Sequence, residues 1–559
     1  MAIKTIEMKK IFKLNKSVIP GILVVLSILA CGISCKKADP NQGLQPPKLF
    51  KPGGLSVATS DTAAVISWSA SLFSTGQSLK YTVQFSQDST FSTIDYTKVA
   101  DSLNLRVTQS IIKIRTPYYV RVKANAYQDQ PESSWSSFKA FKLTGEQLFL
   151  PIRELELTAN SIVLRWNISP NLTKIVLTPA SGTATPYTLS STDLTAGFKS
   201  ITGLPGGTSY TAELFYNSTS RGILGFTTLT TPVYSVILNS GADLVAAVNA
   251  AANNDVIGLN PGAYSAGTVN FTVLQKTITI RSVSGNPKDT KVNYKEFDIK
   301  GTGAGINFVG IELDGTTSGS LYFINPVGLT ADGDKANFTQ VTLNNCIVHG
   351  STTSFMRANR GTNGGDQTMD NITVKNCVIY DMASTLGYTF LHLDKLQFNT
   401  LSFSKNTMYN IGRELLSCST TLTSTPPNIA FDYCTINNFG ASGLYVLMDA
   451  NANPVKFNLT NSIIGNVPRP SGTVNAVVLR ANGAGSAIVF NNNNTFNFTN
   501  GAATPAALTF PTANITMIGN QSVNLGWTAT TTDFTIPPSS PLRTASNVST
   551  PIGDPRWTY

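Results

Sequence analysis

Val341–Gly350 reads VTLNNCIVHG, and Ile372–Met382 repeats the pattern as ITVKNCVIYDM. It returns as LSFSKNTMYNIG from Leu401, IAFDYCTINNFG from Ile429 and FNLTNSIIGNV from Phe457. Each copy runs apolar-x-apolar, a polar pair, a small or apolar residue, then two more apolar positions, which predicts strand, tight turn and strand rather than a helix. Alternation such as Val341, Leu343, then Cys346, Val348 turns one set of residues inward on both sides of the turn. Aligned on the residue after the usual asparagine, the copies fall at Val283, Ile311, Cys346, Cys377, Thr407, Cys434, Ser462 and Asn493. A recurrence of about thirty residues is one coil of a solenoid.

Asn345, Asn376, Asn406, Asn461 and Asn492 take the corner in this alignment. Asparagine tolerates left-handed backbone, and its amide can bond its counterpart one coil away, which predicts an asparagine ladder. Cys346, Cys377 and Cys434 share the next, inward position, and a stack of reduced thiols is expected there in preference to a Cys346–Cys377 disulfide. The repeat resembles the right-handed parallel β-helix of pectate lyase-like proteins over residues 232–559, which implies three strands per coil and about eight coils. The third strand of each coil is found in the apolar runs LYFIN at Leu321, FMRAN at Phe355, FLHLD at Phe390, LLSCS at Leu415, LYVLM at Leu444 and VVLRA at Val477. Ser240 is expected to cap an opening helix, and Trp527 and Trp557 to fill the far end of the coil. The Pro-rich ending and IGDPRW resemble the closing segments of Bacteroidota surface proteins.

The front of the chain differs. Five lysines, the run VIPGILVVLSILA and then Cys31 and Cys35 make residues 1–35 a secretion signal, with acylation expected at Cys35 or at Cys31. Residues 36–52 are a Pro- and Gly-rich tether. Residues 53–144 (Trp68, Tyr81, Tyr119) and 145–231 (Trp166, Leu204, Tyr210) carry short alternating strands and resemble fibronectin type III domains, the second through GLPGGTSYTAEL. The fold class expected is therefore all-β, two sandwiches followed by the β-helix. The charge of +10 falls to +6 once the signal's five lysines and Glu7 depart, which gives nucleic-acid binding no support.

Stacked parallel strands about 4.8 Å apart turn an outward column into a surface suited to an extended polymer. If Met356, Ala358, Leu391, Leu393, Leu416 and Cys418 point inward, Arg357, His392 and Ser417 form one outward column, and Asn359, Asp394 and Ser419 form the next. Arg360, Lys395, Arg413, Glu414 and Arg480 flank these strands, and Tyr322, Tyr388 and Tyr445 lie on or beside them. This polar, cation-rich face suits a uronate-containing polysaccharide. The resemblance implies a lyase chemistry in which Arg357 or His392 takes a proton and Asp394, with Asp366 or Asp370, holds Ca2+. No lyase motif carries over, and aspartates too sparse for a paired-acid hydrolase leave glycan capture as the leading expectation, ahead of a polysaccharide lyase and an adhesion rod. The architecture resembles lipid-anchored, outer-membrane proteins of Bacteroidota polysaccharide use, which implies neighbouring glycan-uptake proteins as partners.

Overall fold

The computed structural model describes residues 48–420 and 425–558. Residues 1–47, where the expected secretion signal, Cys31, Cys35 and most of the expected tether fall, lie outside them. The chain divides into two units. One comprises the described residues up to Leu150 with Arg165–Lys199 and Tyr210–Phe226, and the other comprises Pro151–Leu164, Ser200–Ser209 and the chain from Thr227 onward.

In the first module, Gly53–Thr59, Ala63–Ser69 and Asn104–Thr108 form a three-stranded antiparallel sheet, and Tyr96–Ala100, Tyr81–Ser86, Pro117–Ala124 and Lys139–Lys142 form a four-stranded one. Alternation buries Ile66, Trp68, Val83, Phe85, Val120 and Val122 in one core, the arrangement of a seven-stranded, fibronectin type III-like sandwich. The second module repeats the theme with a four-stranded sheet of Thr185–Thr188, Lys174–Pro179, Ser209–Tyr216 and Thr219–Thr227, and a pair made by Phe198–Thr202 and Ser161–Arg165. Trp166, Leu204 and Tyr210 are buried, as the sequence requires of sandwich-core positions.

From Val236 the chain winds into a parallel β-solenoid of about nine turns. Among the described residues its three sheets contain eleven, nine and eight strands. The first sheet holds the strands that open each repeat, such as Ala336–Asn344, Gln367–Lys375 and Leu396–Ser404. The second holds those after the corner, such as Ile347–His349 and Val378–Met382. The third holds Tyr322–Val327, Ser354–Arg357, Leu391–His392, Leu416–Ser417, Met448–Asn451 and Leu479–Ala481. Parallel, in-register pairing brings like residues above like: Phe323, Phe355 and Phe390 meet at ring-centroid distances of 5.1 and 5.0 Å. The core is one continuous cluster from Leu244 to Leu508. The opening helix, Leu244–Ala250, is capped by Asp243, whose carboxylate accepts from the Ala246 N–H at 2.9 Å, so Asp243 does what was expected of Ser240.

The corner ladder needs correction. Asn345, Asn376, Asn461 and Asn492 have positive φ, but in the intervening coils the left-handed residues are Lys405 and Tyr433. Val378 pairs with Thr407, so Asn406 rather than Thr407 stacks with Cys377, inward of the corner. That inward column is the hydrogen-bonded one. The Cys377 N–H donates to Asn406 Oδ1 at 2.8 Å, the Cys434 N–H to Ser462 Oγ at 3.0 Å, and the Ser462 N–H to Asn493 Oδ1 at 2.9 Å. Each side chain thus satisfies a buried amide for which the corner leaves no strand partner. The outward corner amides do not bond one another: Asn345 donates to the Gly285 carbonyl and Asn461 to Asp432. Amide-to-amide contacts occur instead at the far end of the second sheet, where Asn438 donates to Asn410 Oδ1 at 2.6 Å and Asn497 to Asn466 Oδ1 at 2.9 Å, all four at positive φ. Cys346, Cys377, Cys418 and Cys434 are buried, free thiols. Burial pushes the Cys434 thiol up to about 12.

The closing segment does not plug the coil. Trp527, Phe534, Ile536, Leu542 and Ile552 form a separate cluster with Ile463 and Phe496 of the second sheet, joined by Tyr409 and Trp557. Asp554 accepts from the Thr407 hydroxyl at 2.8 Å, and the Gly553 N–H donates to the Asn461 carbonyl at 2.8 Å. Residues after Asn520 therefore fold back over the outer face of the second sheet. They cover apolar side chains that the alternation would otherwise expose.

Candidate functional site

Arg357 pairs with His392, and His392 with Ser417, so the predicted outward column exists. It continues through Asp449 to Arg480 on one side. On the other it reaches Asn325, which follows Met356's partner Ile324, and then Asp298.

Arg357 is at its centre. Its guanidinium lies over the rings of Tyr322 and Tyr388 at 5.0 and 5.1 Å, Nη1 donates to the Tyr322 hydroxyl at 2.8 Å, and Nε donates to Asn359 Oδ1 at 3.0 Å. Among the described residues no carboxylate pairs with it. Two other arginines of the face differ: Arg480, over Tyr445 at 5.0 Å, makes a two-pronged bond to Asp449, and Arg360 holds Asp332 and Asn325 Oδ1. Lys395 is half-buried and makes no ion pair among the described residues.

His392, 8 % exposed, places Nε2 at 3.1 Å from Asp394 Oδ2 and meets the Tyr388 ring edge-on at 4.9 Å. Asp394 also accepts from the Ser417 hydroxyl at 2.6 Å, and from the Ser419 N–H at 2.7 Å and hydroxyl at 3.1 Å. Burial alone would raise the Asp394 pKa. The bonds from His392, Ser417 and Ser419 outweigh it and hold this carboxyl well below the usual carboxylate range. An ionised carboxylate only accepts, so Nε2 is the donor to Asp394. Nδ1 is sealed from solvent and has no hydrogen-bond partner.

Three carboxyls flank this centre: Glu296 and Asp298, which sequence reasoning did not single out, and Glu414, which it placed beside the strands. Glu296 and Asp298 share the Asn325 amide, which donates to them at 3.3 and 2.9 Å, and burial followed by the Asp298 charge pushes Glu296 up to about 7. Burial likewise pushes Glu414 up to about 7, although its bond from Thr389 and the Arg413 charge oppose the rise. The readable signal for the first pair was KEFDIK at Lys295, whose Asp298 falls on the Arg357 column once the repeat is carried one coil further back.

The calcium set does not assemble. Asp366 binds Asn363 and Lys335, Asp370 accepts from Asn399, and Asp394 is taken as above. Among the described residues, the trio with metal-ligand proximity is Glu312, Asp314 and His349 on the second sheet. There the Lys291 ammonium lies 3.0 Å from Glu312 and 2.9 Å from Asp314, so a side-chain cation already occupies the place a metal would take. A cavity of about 680 Å³ adjoins it, lined by Glu312, Tyr380, Tyr409, Arg556 and Trp557. Tyr380 and Tyr409 belong to a stack that begins at His349, with His349 on Tyr380 at 4.6 Å and Tyr380 on Tyr409 at 5.1 Å, both within 8° of parallel. Their faces are closed to a sugar ring. Tyr322, Tyr388 and Tyr445 likewise give ring faces to arginines, so the third sheet offers charge and hydrogen bonds rather than open aromatic platforms.

Residues 262–411 match the family model described as a domain of unknown function, DUF4957. The match spans Arg357, His392 and Asp394. No curated protein sequence matches the chain. Similar solved structures include the FN1–FN3 domains of chicken CNTN1 (14% identity, 33% of this chain and 68% of that one, TM-score 0.15). They also include a two-domain fibronectin type III segment of chicken tenascin (14%, 32% and 97%, 0.18) and the central fibronectin-III array of RIM-binding protein (16%, 34% and 65%, 0.13). TM-scores this low carry no weight, and the sandwich description rests on the strand order above. Among the described residues no helix is long and apolar enough to cross a membrane.

Proposed function

We propose that the third sheet binds an acidic, uronate-containing polysaccharide, as part of a pectate lyase-like β-helix carried by a Bacteroidota surface lipoprotein. The observation that carries this reading is Arg357, a guanidinium held over two tyrosine rings and in no ion pair among the described residues, on a column of polar side chains that runs along the coil axis. A fixed cation that makes no salt bridge of its own favours carboxylates, and strands stacked about 4.8 Å apart present contacts at intervals close to the advance of a sugar unit. Asn359, Arg360, Lys395 and Ser417 supply the polar surroundings, and the cavity of about 370 Å³ beside Tyr445 and Arg480 extends the track. The signal segment with Cys35 or Cys31 supports an outer-membrane lipid anchor, and the two sandwiches serve as spacers. In that setting the partners are the glycan and neighbouring glycan-uptake proteins.

Affinity electrophoresis in gels containing polygalacturonate, alginate or a neutral glucan tests the reading. Retardation is expected in the uronate gels only, and it weakens with salt. Arg357→Ala reduces affinity roughly 10- to 100-fold, the worth of a charge-assisted hydrogen bond. Equal retardation of the two proteins, or retardation by the neutral glucan alone, rejects it.

A further inference from the structure

We infer that the first sandwich rests on a lipid bilayer through an apolar tip, Phe50, Leu72 and Phe73, at the end where the chain enters it. The inference rests on the lipid-anchor part of the reading above and says what the anchored chain touches next. Phe73 is 86 % exposed, Leu72 64 % and Phe50 52 %, and the two rings lie edge to face at 5.4 Å. A lone exposed apolar side chain is ordinary, but three together, with two rings in contact, form a patch suited to a non-aqueous partner. The loop is built to present it. Phe73 adopts left-handed backbone, φ 61°, which a bulky side chain disfavours. Bonds within the loop hold that conformation: the buried Ser74 hydroxyl donates to the Ser71 carbonyl at 2.6 Å, and the Gln77 N–H to the Ser74 carbonyl at 3.0 Å. The backbone is thus held in a disfavoured state that leaves the ring outside the core around Trp68.

Strand order decides which end this is. Gly53 pairs with Ser69, so the strand that follows Phe50 and the loop that follows Ser69 share one end of the three-stranded sheet. The opposite end holds Asp61, whose carbonyl accepts from the Gly145 N–H as the chain leaves for the second module. The apolar tip therefore marks the end the chain arrives from. Twelve residues, 36–47, separate the expected acylation site at Cys35 from Lys48, and a segment of that length spans no more than roughly 45 Å in any conformation. An acyl chain on Cys35 would hold the tip beside the bilayer at high effective concentration.

The chemistry of the tip fits that partner. Rings flanked by lysines sit where headgroups meet acyl chains, and Lys48 and Lys51 stand on either side of Phe50, exposed and in no ion pair among the described residues. Asp101 and Asp129 lie at the same end and partly offset them, so the rings carry the contact more than the charge does. An anchor alone leaves the sandwich free to turn, and a second contact sets its orientation.

The full chain is expressed with its signal segment in a Gram-negative host fed labelled palmitate, purified, and reconstituted into vesicles of phosphatidylethanolamine and phosphatidylglycerol. The acyl chains of these lipids are brominated, which quenches indole emission at short range. Phe73→Trp adds an indole at the tip, and Val548→Trp adds one at an exposed position of the closing segment. An interfacial ring reaches about 5–10 Å into the boundary of headgroups and acyl chains, so the emission added by Phe73→Trp is expected to fall by half or more. The emission added by Val548→Trp is expected to be unchanged. Phe50→Ser and Leu72→Ser, introduced together with Phe73→Trp, are expected to restore most of the lost emission. All three positions are exposed, and an unchanged melting temperature confirms that the sandwich is intact. Absence of quenching, or equal quenching of the two added indoles, overturns the contact. A chain that sediments as a dimer until Phe73→Ser separates it assigns the tip to a second copy and overturns it as well. Palmitate label without quenching removes the tip contact and leaves the anchor. Quenching without label removes the anchor and leaves the tip contact standing.

Discussion

The chain has two histidines, and the coil places them on adjacent sheets in opposite circumstances. His349, on the second sheet, has Nε2 at 3.2 Å from Glu312, Nδ1 at 3.5 Å from Asp314, one ring face on Tyr380, and the Lys291 ammonium balancing the carboxylates. Nothing in that cluster is owed a partner. His392, on the third sheet, has one nitrogen bound and one without a hydrogen-bond partner among the described residues, beside an arginine in no ion pair among them. Both are 8 % exposed, so burial does not distinguish them. What does is completeness: a closed set of charges stabilises a coil, whereas an open set invites a ligand.

The strongest way to break this contrast is on glycan. Substitutions on the second sheet, Lys291→Met or His349→Gln, should leave retardation by polygalacturonate within twofold of wild type, against the large loss in Arg357→Ala. Parallel losses on both sheets would show that the contrast lies in coil stability and not in a site.

Stability should respond in reverse. Lys291→Met leaves Glu312 and Asp314 without their cation and, because Lys291 is partly exposed and solvent screens the pair, is expected to cost about 1 to 2 kcal/mol in urea unfolding. His392→Gln, which keeps a donor for Asp394, should cost under about 1 kcal/mol.

Glu414 sharpens the comparison through pH. Its pKa is about 7 in the fold against 4.5 for the free group, so between those values the native chain holds a proton that the unfolded chain has released. Stability is therefore full below about pH 4.5, falls by up to about 3 kcal/mol as pH rises to 7, and is level above. Glu414→Gln should flatten that part of a melting-temperature profile, and an unchanged slope would assign it to Glu296 instead.

The smallest expected difference is between the two ladders. Asn406→Ala strands the buried Cys377 N–H and the Val374 carbonyl and should cost about 2 kcal/mol. Asn410→Ala, in the outer ladder, opens a site that water can reach and should cost about 1 kcal/mol or less.

Much of this was legible in the repeats. The outward sequence Arg357, His392, Ser417 followed from alternation once the third-strand runs were aligned, and the pairing reproduces it. The misplacement of Asn406 has a physical cause. SKN in Leu401–Gly412 looks like the VKN of the preceding copy, yet the corner accepts Lys405 or Tyr433 in left-handed backbone when the flanking strands impose it. Residue preference at a turn is thus outvoted by strand register. Glu296 and Asn325 escaped because their contact joins different strand positions in adjacent coils, which no single repeat displays. The second-sheet cluster escaped for the same reason, with Lys291, Glu312 and His349 one to a coil.

By itself, then, the sequence determined the winding: an apolar period recurring once per coil can bury its residues only by stacking, and that condition is met locally, copy after copy. Tertiary structure alone decided which histidine was completed and which was left open, where the closing segment lay, and that Arg357 met tyrosine rings rather than a carboxylate. Those outcomes depend on side chains tens of residues apart meeting across coils whose connecting loops differ in length, and hydrogen bonds and ion pairs are set by distances of a few tenths of an ångström that no periodic pattern specifies.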